Sequence, residues 1–245
     1  MFDYQVLRSH RKTLSLQVKH GQVFVRAPNQ LDDQFISDFI NKKANWLNAK
    51  IKEQNQTVDL CCDFTHGSIL LLFGKQVVLN IIFTNEPKLY KDEPTIFLSE
   101  LATEQEKLTI RLSNRQKQLD AFPLALFIKK QLEQYLKQQA TNIILPKVAH
   151  FSELTQLSPN GIKIRQYRAR WGSCNSNGEI SFNYLLMMLP MFVIDYVIVH
   201  ELCHLRHLNH SKDFWRLVEH YFPDYLKAKA WIKANQSALH WRAPV

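Results

Sequence analysis

Apolar and polar positions alternate along residues 14–18 and 23–26, on either side of His20-Gly21-Gln22, and this two-residue period predicts a β-hairpin with one buried face. Pro28 ends it. From Leu31 the period lengthens. Phe35, Ile36, Phe39, Ile40, Trp46 and Leu47 recur at helical spacing, with Asp32 and Asp33 placed to complement a helix N-terminus. Further strands are expected at residues 69–73 and 76–83, joined by a tight turn at Gly74-Lys75. Residues 85–114 are mixed in pattern and predict no clear element. Residues 120–144 carry a long helical pattern rich in Leu, Gln and Lys, with Pro123 in the first turn, where proline is tolerated. Strands are expected at 162–165 and 179–182, with Arg168-Ala169-Arg170-Trp171 between them and a turn at Asn175-Ser176-Asn177-Gly178. Helices then dominate, at about 191–208, 211–221 and 223–237. The absence of an internal repeat argues against a solenoid.

This order of elements describes an α+β protein with an N-terminal hairpin/helix lobe at residues 1–118 and a second part, residues 119–245, opening on the long helix. A chain of 245 residues with 46% hydrophobic content is large enough to bury a core. Lys and Arg outnumber Asp and Glu by 31 to 22, a net charge of +9, which favours an anionic partner or substrate over a cationic one. The four cysteines, Cys61-Cys62, Cys174 and Cys203, form neither a CxxC pair nor a disulfide framework, so reduced thiols in a cytosolic protein are expected. The first residues lack a basic stretch followed by an apolar one, as a secretory signal requires. The most apolar run, residues 184–199, is broken by Pro190 and Asp195 and is too short for a bilayer. A cytoplasmic location without a membrane partner follows as the expectation.

The chemistry concentrates in His200-Glu201-Leu202-Cys203-His204. A helix places residues i and i+4 on one face, so the two imidazoles can meet one cation while Glu201 reaches the water bound to it. Zinc lowers the pKa of such a water to about 7 and polarises a carbonyl, and the carboxylate carries the proton to the leaving group. Five residues of this kind also arise by chance, so the surroundings matter. Upstream, Phe192, Val193, Ile194, Val197, Ile198 and Val199 make the helix apolar, and two imidazoles and a carboxylate in such a rod need partners. A catalytic zinc keeps three protein ligands and one open position. Candidates for the third are His207, His210, Asp213 and Glu219. Helical rise puts His207 about 10 Å from His200, too far to share an ion. His210 is better placed, because Asn209 is expected to end the helix in a left-handed conformation and Ser211 to cap the next. Glu219, on the following helix, is the alternative.

Arg170-Trp171-Gly172-Ser173-Cys174, residues 180–185, residues 195–205 around the histidines, and Asn209-His210-Ser211 followed by Phe214-Trp215 resemble, in this order, the YgjP-like metallopeptidase domain family, related to the SprT-like group of zincins. Residues 8–16 and 23–28 are similar to the family's opening hairpin. The resemblance implies a zincin-like α+β fold, with the catalytic domain in residues 119–245, Zn2+ held by His200, His204 and His210, and Glu201 as general base. The spacing is also similar to that of metzincins. They carry glycine where this chain has His207, however, and no later methionine turn is visible, so their substrate preferences do not transfer.

Other residues have structural and functional readings side by side. Trp171, Phe214 and Trp215 read first as core and second as cleft lining. Arg165, Arg168 and Arg170 could bind an oxyanion or phosphate, or line a solvated strand. Cys203 and Cys174 read as small buried thiols, and Arg8, Arg11, Lys12, Lys42 and Lys43 as solvated charge. The expected function is a zinc-dependent hydrolase acting on a peptide or protein, with the substrate extended beside the strand edge near residues 168–174. Two alternatives stand beside it. One is hydrolysis of a nucleoside triphosphate's pyrophosphate on the same site, although no glycine-rich phosphate cradle is present. The other is a nucleic-acid-binding module with a structural zinc, a kind of site usually closed by four ligands rich in cysteine.

Overall fold

The structure, a computed structural model, describes residues 3–19, 22–56, 62–84, 95–99, 106–167, 169–236, 238–239 and 241. The expected hairpin forms from β2 (Ser15–Lys19) and β3 (Gln22–Pro28), antiparallel with Leu16 opposite Val25. Its turn residues His20 and Gly21 lie outside the described residues. A strand without a predicted counterpart, β1 (Tyr4–Ser9), adds in parallel to the other side of β3. Val23, Val25 and Ala27 point to one face and are buried with Ile36, Ile40 and Leu47. The helical run from Leu31 is two helices, α1 (Asp33–Lys42) and α2 (Ala44–Gln56), and Asp32 caps the first by accepting from the Gln34 amide. Arg8 is more than solvated charge: its guanidinium donates to the carbonyls of Pro28, Asn29 and Leu31 and pairs with Asp33, tying β1 to the strand-to-helix link.

Contacts divide the chain into two compact units, residues 1–59 and 60–245, whereas the sequence pattern draws its line at 118/119. The second unit opens with β4 (Ile69–Leu72), β5 (Lys75–Thr84), β6 (Thr95–Ser99) and β7 (Lys107–Ser113), ordered β4-β5-β7-β6 with β5 and β7 parallel. In β7, Leu108, Thr109 and Ile110 are buried in succession, so both faces are covered and no alternation is left to see. This sheet shares one apolar core with the C-terminal helices. Phe73 and Gly74 donate to the carbonyls of Met187 and Met188, and a Cβ on Gly74 would come within 2.8 Å of Pro190.

The long helix α3 (Ala121–Thr155) runs well past residue 144 and contains Pro146. Its buried stripe explains the continuation: Ile128, Leu132, Leu136, Ala140, Ile144 and Val148 repeat every four residues across the proline. A second small sheet is ordered β8-β10-β9, from β8 (Gly161–Arg165), β9 (Gly172–Cys174) and β10 (Glu179–Asn183). A 3-10 turn at Tyr184–Met188 leads to α4 (Met191–Cys203), α5 (Lys212–Tyr221) and α6 (Tyr225–Asn235). The fold is therefore α+β, and no helix among the described residues is long and apolar enough to cross a membrane.

Candidate metal centre

Helix α4 is apolar along most of its length and, apart from Asp195, which pairs with Lys147, and half-buried His200, is buried beyond its first turn; its last turn carries His200 and Glu201. Glu201 and His204 are 5% and 8% exposed. The helix stops at Cys203, five residues earlier than its pattern predicts, and the chain leaves it through a tight turn in which Leu205, Arg206 and His207 bond back to Leu202 and Cys203. The turn brings the carbonyl of His207 to 2.9 Å from Nδ1 of His204. A carbonyl only accepts, so Nδ1 carries the proton and Nε2 keeps its lone pair. Asn209 is not left-handed, since the positive-φ non-glycine residues among those described are Phe64, Phe73 and Gln156. Ser211 caps α5 by accepting from the Phe214 amide, as expected.

The turn delivers His210 to the face of α4 that bears His200 and His204. The three ring centroids stand 4.9, 5.0 and 4.7 Å apart, and one ring nitrogen from each falls within 4.8 Å of the others. Nε2 of His200 and Nε2 of His210 are 3.1 Å apart. Ligand nitrogens about 2.0–2.1 Å from a tetrahedral zinc are separated by roughly 3.3 Å, so the donor set suits such an ion. Burial lowers the His200 pKa to about 3, helped by His204 and His210, and burial likewise lowers that of His204. Both are thereby kept in the neutral form that binds metal. Glu219 and Asp213 are exposed on α5, Asp213 paired with Arg216, and neither belongs to this group; nor does the imidazole of His207.

Phe214 forms the floor. Fully buried, it stacks on His204 at 4.4 Å and meets His200 and His210 edge-on at 4.9 and 4.8 Å. It is both core and site. Trp215 is half-buried and stacks on His210, while Trp171 lines the cleft above. Tyr196, one helical turn before His200, places its hydroxyl 3.5 Å from Nδ1 of that histidine. Its i−4 position was visible in the sequence, although its role was not.

Glu201 faces β9. A Cβ on Gly172 would lie 2.6 Å from Oε1 of Glu201, so only glycine leaves room for the carboxylate. Burial pushes the Glu201 carboxyl up to about 8, against the downward pull of Arg170. The segment before β9 is clamped by buried Asn183, whose amide donates to the carbonyls of Tyr167 and Arg170. Arg170 lines the cleft, Arg165 lies exposed outside it, and Arg168 falls outside the described residues. Cys203 is a buried free thiol, Cys174 a half-buried one at the cleft wall, and Cys61 lies outside the described residues. Together α4, β9 and α6 enclose a cleft of about 610 Å³ that takes in the three histidines and Glu201.

Among curated proteins none matches the chain. Among solved structures, the metallopeptidase zymogen of Pyrococcus abyssi abylysin aligns over 38% of this chain and 96% of its own, with 22% identity and a TM-score of 0.35. The YgjP-like, metallopeptidase domain family matches residues 12–235. That span runs from the hairpin through the histidine-bearing turn to the end of α6, and the chain belongs to the YgjP-like metallopeptidase domain family.

Proposed function

We propose that the chain is a zinc-dependent peptidase in which His200, His204 and His210 hold the ion and Glu201 is the general base. The observation that carries this reading is the convergence of three imidazole nitrogens at the floor of a cleft also lined by a buried carboxylate. A zinc ion held by these three histidines would supply a Lewis acid, polarising a scissile carbonyl and acidifying a water. Glu201 accepts the proton of that water and returns it to the leaving amine. The carbonyl of His207 and the hydroxyl of Tyr196 orient the rings of His204 and His200, as ligand histidines require. Among the described residues β9 is an edge strand paired with β10 alone, and that edge can take an extended peptide as a further strand.

The purified chain should hold about one zinc, the stoichiometry of a single three-histidine site. Elemental analysis should show that His200→Ala, His204→Ala and His210→Ala each lose most of it, and that His207→Ala does not. Glu201→Gln should keep the zinc and the fold while turnover falls about 10²–10⁴-fold. Full metal retention in the first three variants would remove the site, and near-wild-type turnover of Glu201→Gln would remove the base. Assaying peptides beside nucleoside triphosphates separates the peptidase reading from phosphoanhydride hydrolysis.

A further inference from the structure

The wall of the cleft opposite β9 is α6, which presents Lys229, Ile232, Lys233 and Gln236 as one helical stripe. Arg170 stands on the β9 side, and the one acid among the lining residues is the buried Glu201. Lys229 is the cation of this stripe with a defined seat. Its Nζ lies 4.0 Å from the centroid of the Trp215 ring and 5.9 Å from that of Tyr225, two rings stacked on each other at 5.5 Å. Trp215 in turn stacks on His210. Aromatic faces, not a carboxylate, therefore hold this ammonium beside the triad. None of the ion pairs among the described residues uses Lys229, Lys233 or Arg170. Ring faces attract the charge but leave N–H donors available to an anion in the cleft.

We propose that Lys229 is a specificity residue that binds a carboxylate of the substrate on the α6 side of the histidine triad, so that the chain selects peptides bearing an acidic group next to the scissile bond. The inference rests on the peptidase reading above. A basic group at the same place would meet Lys229 and Lys233 with no acid but the buried Glu201 among the lining residues to offset them, which disfavours it. The carboxylate has two sources, an internal Asp or Glu side chain and a free C-terminus. Both present the same acceptor to an ammonium.

The test is binding of matched fluorescent peptides to the zinc-loaded full chain carrying Glu201→Gln, which retains substrate without turning it over. One peptide has an internal acidic residue and an amidated end, the second is neutral with a free C-terminal carboxylate, and the third is neutral and amidated. At least one carboxylate peptide should bind about tenfold more tightly than the third, the size of a charge-assisted hydrogen bond, and the advantage should shrink with added salt. Which of the two gains identifies the source. With Lys229→Met the three should bind alike, and Lys229→Arg should restore the preference, zinc content and thermal unfolding serving as controls. Equal binding of all three by the Lys229 protein, or a preference that survives Lys229→Met, overturns the proposal. If no peptide binds, the peptidase reading falls with it. If binding is selective but the wild-type chain cleaves none of the three, the peptidase reading alone falls.

Discussion

Gly172 and Glu201 show how closely the candidate base is fitted. Because a methyl on Gly172 would overlap the carboxylate, Gly172→Ala should displace Glu201 and lower turnover by at least about tenfold, with zinc content unchanged. Full activity in that variant would mean that the carboxylate has another seat. Burial raises the Glu201 pKa, so the folded chain holds a proton that the unfolded chain releases as pH rises from 4.5 to about 8. Over that window the metal-free protein loses stability, by up to roughly 1.4 kcal/mol per pH unit. Glutamine does not titrate. The stability advantage of metal-free Glu201→Gln over wild type should therefore grow from pH 4.5 to 8 and then level off, as read by denaturant unfolding in a chelator. His200 contributes the opposite slope between 6.5 and about 3, but equally in both proteins, so it cancels. A flat difference across the window would place the carboxylate in water. Residues 200, 204 and 201 were legible because helical spacing is local. Gly172, Asn183 and Lys229 were not, because each acts on a partner from another element.

Among the elements, the turn between α4 and α5 departs most from expectation. The apolar pattern continues through Leu205 and Leu208 and predicts helix to 208, yet the helix ends at Cys203 and His204 spends its Nδ1 proton on the His207 carbonyl. Periodicity records which side chains are apolar, not which carbonyl a side chain will recruit. β7 escaped for a related reason, being buried on both faces. At α3 the expected helix ends at 144, but the buried stripe on either side of Pro146 carries it to Thr155 despite the hydrogen bond lost at the proline. Phe214 couples α5 to the histidine-bearing turn. Replacing it with alanine should cost about 3–5 kcal/mol, the usual range for a fully buried phenylalanine. Because its ring touches all three imidazoles, zinc affinity should fall as well, by competition with a chromophoric chelator. Zinc affinity unchanged in a destabilised Phe214→Ala would limit the ring to the core.

Across the whole molecule, two units with separate apolar clusters carry the chain, and the three histidines belong to the second. Zinc should therefore raise the unfolding temperature of residues 60–245 while leaving that of residues 1–59 in place, since a ligand stabilises only the unit that binds it. Hydrogen exchange with and without metal reads the two units separately, and equal protection of both would contradict this assignment. The arrangement also bears on the order in which the molecule becomes competent. His200 and His210, in contact, are 10 positions apart, so the histidine cluster closes through short-range events that are fast in folding. Glu201 is seated against Gly172 of β9, an earlier element, so its place depends on a contact of longer range in the chain. On the zinc-peptidase reading proposed above, a chain still folding would hold its ion before its base is seated, so metal loading and catalysis would mature as successive steps.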